Sequence, residues 1–167
     1  MAEPLTGAEV LGLLPQQEPF RFVDEILELG DEHIVARYTF RPEADFYRGH
    51  FPGNPITPGV LLIEAMAQTG VVALGIYLVA RERGVEEVRR VLTVFTDVTA
   101  EFTGVVRPGD TVTISARKVF FRRMKLRADV EMRLADGSLV ATATVAGMGI
   151  EAAPPATAAA PETRGAR

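Results

Sequence analysis

"RGHFPGNPITPGVLLIEAMAQTG", residues 48–70, decides how this chain is read. Its first part is punctuated by Gly49, Pro52, Gly53, Pro55, Pro58 and Gly59. Proline fixes φ and removes an N–H donor, so this stretch reads as a loop, and His50 sits in it. Pro58 then stands where a helix begins, a favoured place because the missing N–H would be unpaired there anyway. The run that follows predicts a helix over about 58–82. It is apolar nearly all round, which requires enclosure by the rest of the protein on most sides. Into that apolar run the sequence sets Glu64 and, one turn on, Gln68. An unpaired buried carboxylate costs several kcal/mol, roughly, so Glu64 needs a reason to be there.

Outward from this segment the pattern is mostly β. Thr6 to Glu9 has the form of a capping box and opens a short helix closed by Pro15. Phe20–Leu29 and His33–Phe40 read as strands joined at Gly30-Asp31. After a charged connection, Arg81–Arg90, come candidate strands at Val91–Thr103, Thr111–Phe121, Lys125–Leu134 and Ser138–Met148. Arg107-Pro-Gly-Asp110 reads as a turn and Asp136-Gly137 as a hairpin signal. Lys125–Leu134 alternates cleanly, with Leu126, Ala128, Val130 and Met132 against charged neighbours. The expectation is an α+β fold in which one strongly curved antiparallel sheet wraps a long central helix. A second subunit would cover what remains exposed. Residues 1–150 are read as one domain and 151–167 as an Ala/Pro-rich tail expected to be disordered.

The chain has 167 residues, 47% of them hydrophobic, no cysteine and a formal net charge of −4. That acidity argues against a nucleic-acid partner, and without cysteine neither disulfides nor thiolate-ligated zinc can form. No basic n-region and apolar h-region open the sequence, so a secretory signal is not expected, and a cytoplasmic location is. The stretch Val60–Ala80 is long enough to span a membrane, but Glu64 and Gln68 argue for a buried helix in its place.

Four features of the segment carry chemistry. Desolvation suits Glu64 to proton donation, with Gln68 placed to orient it. His50 titrates near neutrality and can remove a proton. The first helical turn, Pro58-Gly59-Val60, offers unpaired N–H groups at the positive end of the helix dipole. Gly59 would let a carbonyl oxygen approach them. A base, an acid and a carbonyl polariser together suit proton abstraction beside a carbonyl and loss of water from the β-carbon. No metal or redox cofactor is expected. Read singly, Glu64 could instead be a structural carboxylate paired with a neighbouring Arg, and His50 a turn residue. His33, at a polar turn, is given no role.

"GHFPGNPITPGVLLIEAMAQ" closely resembles the signature of the bacterial 3-hydroxyacyl-[acyl-carrier-protein] dehydratases, hot-dog-fold enzymes of fatty-acid elongation. The likeness extends to "LLPQQEPFRFVDEILEL" and "VVRPGDTVTISARK", covering roughly residues 10–150. The resemblance implies a homodimer with a continuous sheet, or a trimer of such dimers, or a heterodimer with a paralogue. The active site would form between subunits. It implies His50 as the base at C2, Glu64 as the acid for the leaving hydroxyl, Gly59 N–H on the thioester carbonyl and Gln68 holding Glu64. The substrate would ride on the phosphopantetheine of an acyl carrier protein, with no other cofactor. Members that also isomerise the double bond carry Asp at the acidic position, so Glu64 implies dehydration alone.

Three departures from the family pattern stand out. Gln16-Gln17-Glu18 and Glu101–Val106 lack basic residues usual there, and Thr57 replaces a common Met. Thr57, Phe51 and Val60 are expected to contact substrate at the tunnel mouth, with Phe20, Phe22, Phe46 and Phe102 as further candidate lining. These departures suggest a specialised paralogue serving polyene or polyketide assembly. The run "RKVFFRRMKLR", residues 117–127, holds six basic residues in an acidic chain. Arg117, Lys118, Arg122, Arg123 and Lys125 are therefore expected to steer an acidic carrier protein, unless they simply form a solvated hairpin. A hot-dog acyl thioesterase, or an accessory subunit of a heteromeric dehydratase, remains open on sequence grounds.

Overall fold

The computed structural model describes residues 4–152. Of the tail expected over 151–167 to be disordered, residues 153–167 lie outside the described residues. Thr6 and Glu9 close the anticipated capping box: Thr6 N–H donates to the Glu9 carboxylate at 2.7 Å and Glu9 N–H to Thr6 Oγ1 at 3.3 Å. The helix they start runs Gly7–Gly12.

Six strands follow: β1 Glu25–Leu29, β2 His33–Thr39, β3 Val91–Phe102, β4 Thr111–Arg122, β5 Lys125–Leu134 and β6 Leu139–Glu151. They form one sheet in the order β1-β2-β4-β5-β6-β3, antiparallel throughout. The alternation in β5 behaves as expected, with Leu126, Ala128, Val130 and Met132 buried. The central helix, Gly59–Arg83, runs against this face, and its residues 65–80 are buried without interruption. The membrane-length apolar segment is thus the core helix of a wrapped sheet.

Small residues set how close helix and sheet come. A Cβ on Gly70 would lie 2.9 Å from Val130 Cγ2 and 3.1 Å from Ala116 Cβ. One on Gly147, in β6, would lie 2.5 Å from Val71 Cγ1. Either addition would force backbone apart in a close-packed interior.

Four details depart from the sequence expectation. The central helix is not uniformly α: Gln68–Ala73 forms a π-helical segment, closed by Leu74 N–H bonding the carbonyl of Thr69 five residues back. Phe20–Asp24 is not strand, because Gln68 captures its backbone. Strand β6 continues to Glu151, paired with Val91, and Ala152 N–H donates to Arg90 O at 2.7 Å. Finally, the charged connection holds a further short helix, Val85–Val88, after the central helix stops at Gly84 with φ 88°.

Strand β3 is an edge, and it is unlike the rest of the sheet. Leu92, Val94, Phe95, Val98 and Phe102 are all exposed, a row of unpaired backbone groups flanked by apolar side chains.

Candidate active site

A single helical turn, Phe46–Gly49, delivers His50, whose N–H closes on Phe46 O at 2.9 Å. The imidazole Nδ1 lies 2.9 Å from the Ile56 carbonyl. A carbonyl can only accept, so Nδ1 donates, and in the neutral imidazole the lone pair lies on Nε2. Next, Phe51 sits at φ 60°, a left-handed conformation that costs a side-chain-bearing residue about 1–2 kcal/mol. Pro52 and Gly53 then complete a turn, with Asn54 N–H on Phe51 O at 2.9 Å and Gly53 at φ 84°. The Phe51 ring stands 4.3 Å from the imidazole, centre to centre, and the residue is 56% exposed.

The loop returns to the core through Thr57. Its N–H donates to Val106 O at 2.8 Å, and its hydroxyl shares a 2.6 Å hydrogen bond with Tyr47. Thr57 is only 4% exposed. Thr57 is expected from sequence to contact substrate; in the structure its hydroxyl is engaged by Tyr47, which supports the loop from beneath.

Pro58 caps the central helix, and its carbonyl accepts from Leu61 N–H at 2.9 Å. The N–H groups of Gly59 and Val60 have no acceptor among the described residues. Phe102 explains the glycine: its ring lies 3.2 Å from where a Gly59 Cβ would be. Val60 projects outward, 72% exposed.

Glu64 follows on the same helix, half-buried. Its orientation is set by Gln68, which is fully buried. Gln68 Oε1 accepts Phe22 N–H at 2.7 Å, and its Nε2 donates both to Phe20 O at 2.8 Å and to Glu64 Oε1 at 2.9 Å. The Phe20–Phe22 backbone thus decides which way the amide faces. Its NH₂ must point at Glu64. Oε1 of Glu64 is committed as an acceptor, which leaves Oε2 free of Gln68. Within one chain His50 and Glu64 share neither a hydrogen bond nor an ion pair.

The five basic residues expected to act together are divided. A β-bulge between Lys118 and Phe120 breaks the alternation of β4. Lys118 Nζ pairs with Glu32 at 2.7 Å, and Arg117 lines a separate outer groove with Glu28, Asp129 and Glu131. Arg122, Arg123 and Lys125 do converge, around a groove of about 470 Å³ floored by Phe120 and Met148. Of the five residues expected to steer a carrier protein, the structure brings those three together.

Sequence reasoning missed Tyr47, the left-handed Phe51 and the backbone role of Phe20 and Phe22. Tyr47 and the Phe20–Phe22 backbone depend on partners ten or more residues away, so nothing local signals them.

Known proteins resemble this chain in sequence and in fold. The FabA-like domain matches residues 14–146. A 3-hydroxyacyl-[acyl-carrier-protein] dehydratase FabZ of Syntrophobacter fumaroxidans is 42% identical over 81% of this chain and 91% of its own length. The enzyme of the same name from Acetivibrio thermocellus is 37% identical over 82% and 89%. Among solved structures, a dehydratase heterocomplex from Xenorhabdus doucetiae superposes with a TM-score of 0.68 at 16% identity, over 90% of this chain and 93% of that one. A thioesterase from Haemophilus influenzae gives 0.63 at 18% identity, over 89% and 93%. At such identities the structural likeness speaks for the fold alone.

Proposed function

The chain belongs to the FabA-like domain family, and from that premise we propose that it dehydrates (3R)-3-hydroxyacyl thioesters, carried on an acyl carrier protein, to trans-2-enoyl thioesters. The observation that carries this reading for these residues is the fixed Gln68 amide. It leaves one carboxyl oxygen of Glu64 free to deliver a proton.

The steps balance with two side chains. Nε2 of His50 takes a proton from C2, whose acidity the Gly59 N–H raises by stabilising negative charge on the thioester oxygen. The C2 electron pair becomes the C2=C3 double bond as the C3–O bond breaks. Oε2–H of Glu64 protonates the departing hydroxyl, which leaves as water. Turnover ends with a protonated imidazole and an ionised carboxylate, which are the starting forms for hydration in reverse. Beyond the carrier's phosphopantetheine, this acid–base chemistry calls for no cofactor.

A site shared between subunits, His50 from one and Glu64 from the other, is part of this reading. The exposed apolar edge β3 supports pairing of two copies into one hot-dog double sheet, as a homodimer or trimer of dimers. The Arg122, Arg123 and Lys125 groove is the proposed landing place for the acidic carrier. Dehydration without isomerisation, a cytoplasmic setting and service in specialised polyketide or polyene assembly complete the reading.

The test is turnover of the purified protein on 3-hydroxyacyl carrier protein, followed by enoyl thioester formation, beside His50→Ala and Glu64→Gln. Enoyl product from the wild type and none from either variant is expected. Release of free thiol from a saturated acyl thioester, with no enoyl product, would overturn it in favour of a thioesterase.

A further inference from the structure

We propose that the buried Tyr47–Thr57 hydrogen bond is a positioning device for the His50 imidazole, setting its tautomer and aim through the loop it clamps. The proposal rests on the assignment of His50 as the base.

The argument is one of nested closures. Tyr47 lies three residues before His50, and Thr57 directly follows Ile56. The inner closure is His50 Nδ1–H on the Ile56 carbonyl, 2.9 Å. The outer closure is Tyr47 OH with Thr57 Oγ1, 2.6 Å. The outer bond therefore joins the two stems of the loop whose tip carries the inner one. Thr57 is further pinned by its N–H on Val106 O at 2.8 Å, which ties the returning stem to the core. The departing stem is held by His50 N–H on Phe46 O at 2.9 Å.

Both hydroxyls are committed to each other. Tyr47 is 6% exposed and Thr57 4%, and neither has a second partner among the described residues. Burial raises the Tyr47 pKa above its ordinary value, although the Thr57 hydrogen bond opposes the shift, so the phenol stays neutral at assay pH. The bond also holds the loop while Phe51 stays at φ 60° beside the imidazole. Without the outer clamp the stems can separate, Ile56 O drifts from Nδ1, and the Nε2 lone pair is no longer the only unprotonated nitrogen. A base misplaced by an ångström loses rate without losing substrate.

Two near-isosteric variants, Tyr47→Phe and Thr57→Val, each remove the bond with little change in volume, and Thr57→Ser retains it. Kinetics on the 3-hydroxyacyl carrier substrate are paired with ¹⁵N-histidine NMR. That spectrum is simple because the chain holds two histidines, and His33 is an internal reference on β2 beside Glu28. Each hydroxyl deletion should lower kcat about tenfold with KM little changed. The double variant should be no worse than either single one, as expected for a shared bond. Thr57→Ser should recover most of the loss. The His50 ring nitrogens should move from the Nδ1–H pattern towards a tautomer mixture, with His33 unmoved. Wild-type kcat and an unaltered His50 pattern in both deletions would overturn the proposal, as would a Thr57→Ser variant no better than Thr57→Val. If His50→Ala is itself fully active, the failure lies with the base assignment and not with the clamp.

Discussion

Two tight loops in this molecule put non-glycine residues at positive φ, and they are held in opposite ways. The His50 loop carries Phe51 at 60°, and its stems are fastened by buried or half-buried hydrogen bonds from Tyr47, Ile56 and Val106. The β4–β5 hairpin turns on Arg123 at 51° and Met124 at 64°, the two central residues of a type I′ geometry that Asn-Gly would fit more easily. Besides the Arg122–Lys125 strand pair, a backbone bond from Gly149 N–H to Met124 O at 2.8 Å fastens that tip. A Cβ on Gly149 would meet Met124 Cε at 3.1 Å, so the tip folds onto a glycine. Strain that is over-determined fixes the aim of a reacting atom. Strain held by backbone bonds at the surface instead presents Arg122 and Arg123 to solvent. The two regions should therefore fail differently when altered.

The largest expected effect separates them most sharply. His50→Ala should lower kcat by about 10²–10⁴, the usual worth of a positioned base. A comparable loss from any hairpin substitution would erase the distinction. Gln68→Leu comes next. It strips partners from Phe22 N–H, Phe20 O and Glu64 together, at about 2–4 kcal/mol of stability by denaturant unfolding, with a fall in kcat as Glu64 loses its aim. At the hairpin, Arg122→Glu with Arg123→Glu should raise KM for the carrier-borne substrate about tenfold and leave kcat alone. The effect should fade with added salt. Lys125 is left intact in that variant because it also faces Asp97 at 3.7 Å. The smallest effect is a gain: Arg123→Asn with Met124→Gly should add about 1 kcal/mol of stability by relieving the positive φ angles. An equal gain from Phe51→Gly, with kcat unchanged, would show that the site loop needs no strain at all.

Legibility from sequence followed the range of the interactions. Strand β5 reads directly because its alternation is local, and the central helix reads from Pro58 and its apolar run. The Asp136-Gly137 turn announces itself, whereas Arg123-Met124 does not, since its conformation is imposed by Gly149 from a distant strand. Glu64 and Gln68 were visible as polar residues out of place, and their mutual hydrogen bond is within one helical turn. That Gln68 would also seize Phe20 and Phe22, and so dissolve the start of an expected strand, could not be read from residues 46 or more positions apart. The basic run misled for a related reason: a bulge in β4 and Glu32, neither evident in the run itself, divide its charges.

The π-helical stretch from Gln68 to Ala73 has a consequence for how this core tolerates length change. A helix with a wide turn behaves as though it had taken up a surplus residue between two parts whose bearings were already settled. Upstream lies the Glu64 carboxyl group, held by Gln68; downstream lies the buried apolar plug of the helix, keyed to the sheet. Deleting one residue there would let the helix relax to ordinary pitch and swing the two parts by about 100° relative to each other. The chain could then keep its plug or its acid in register, but not both.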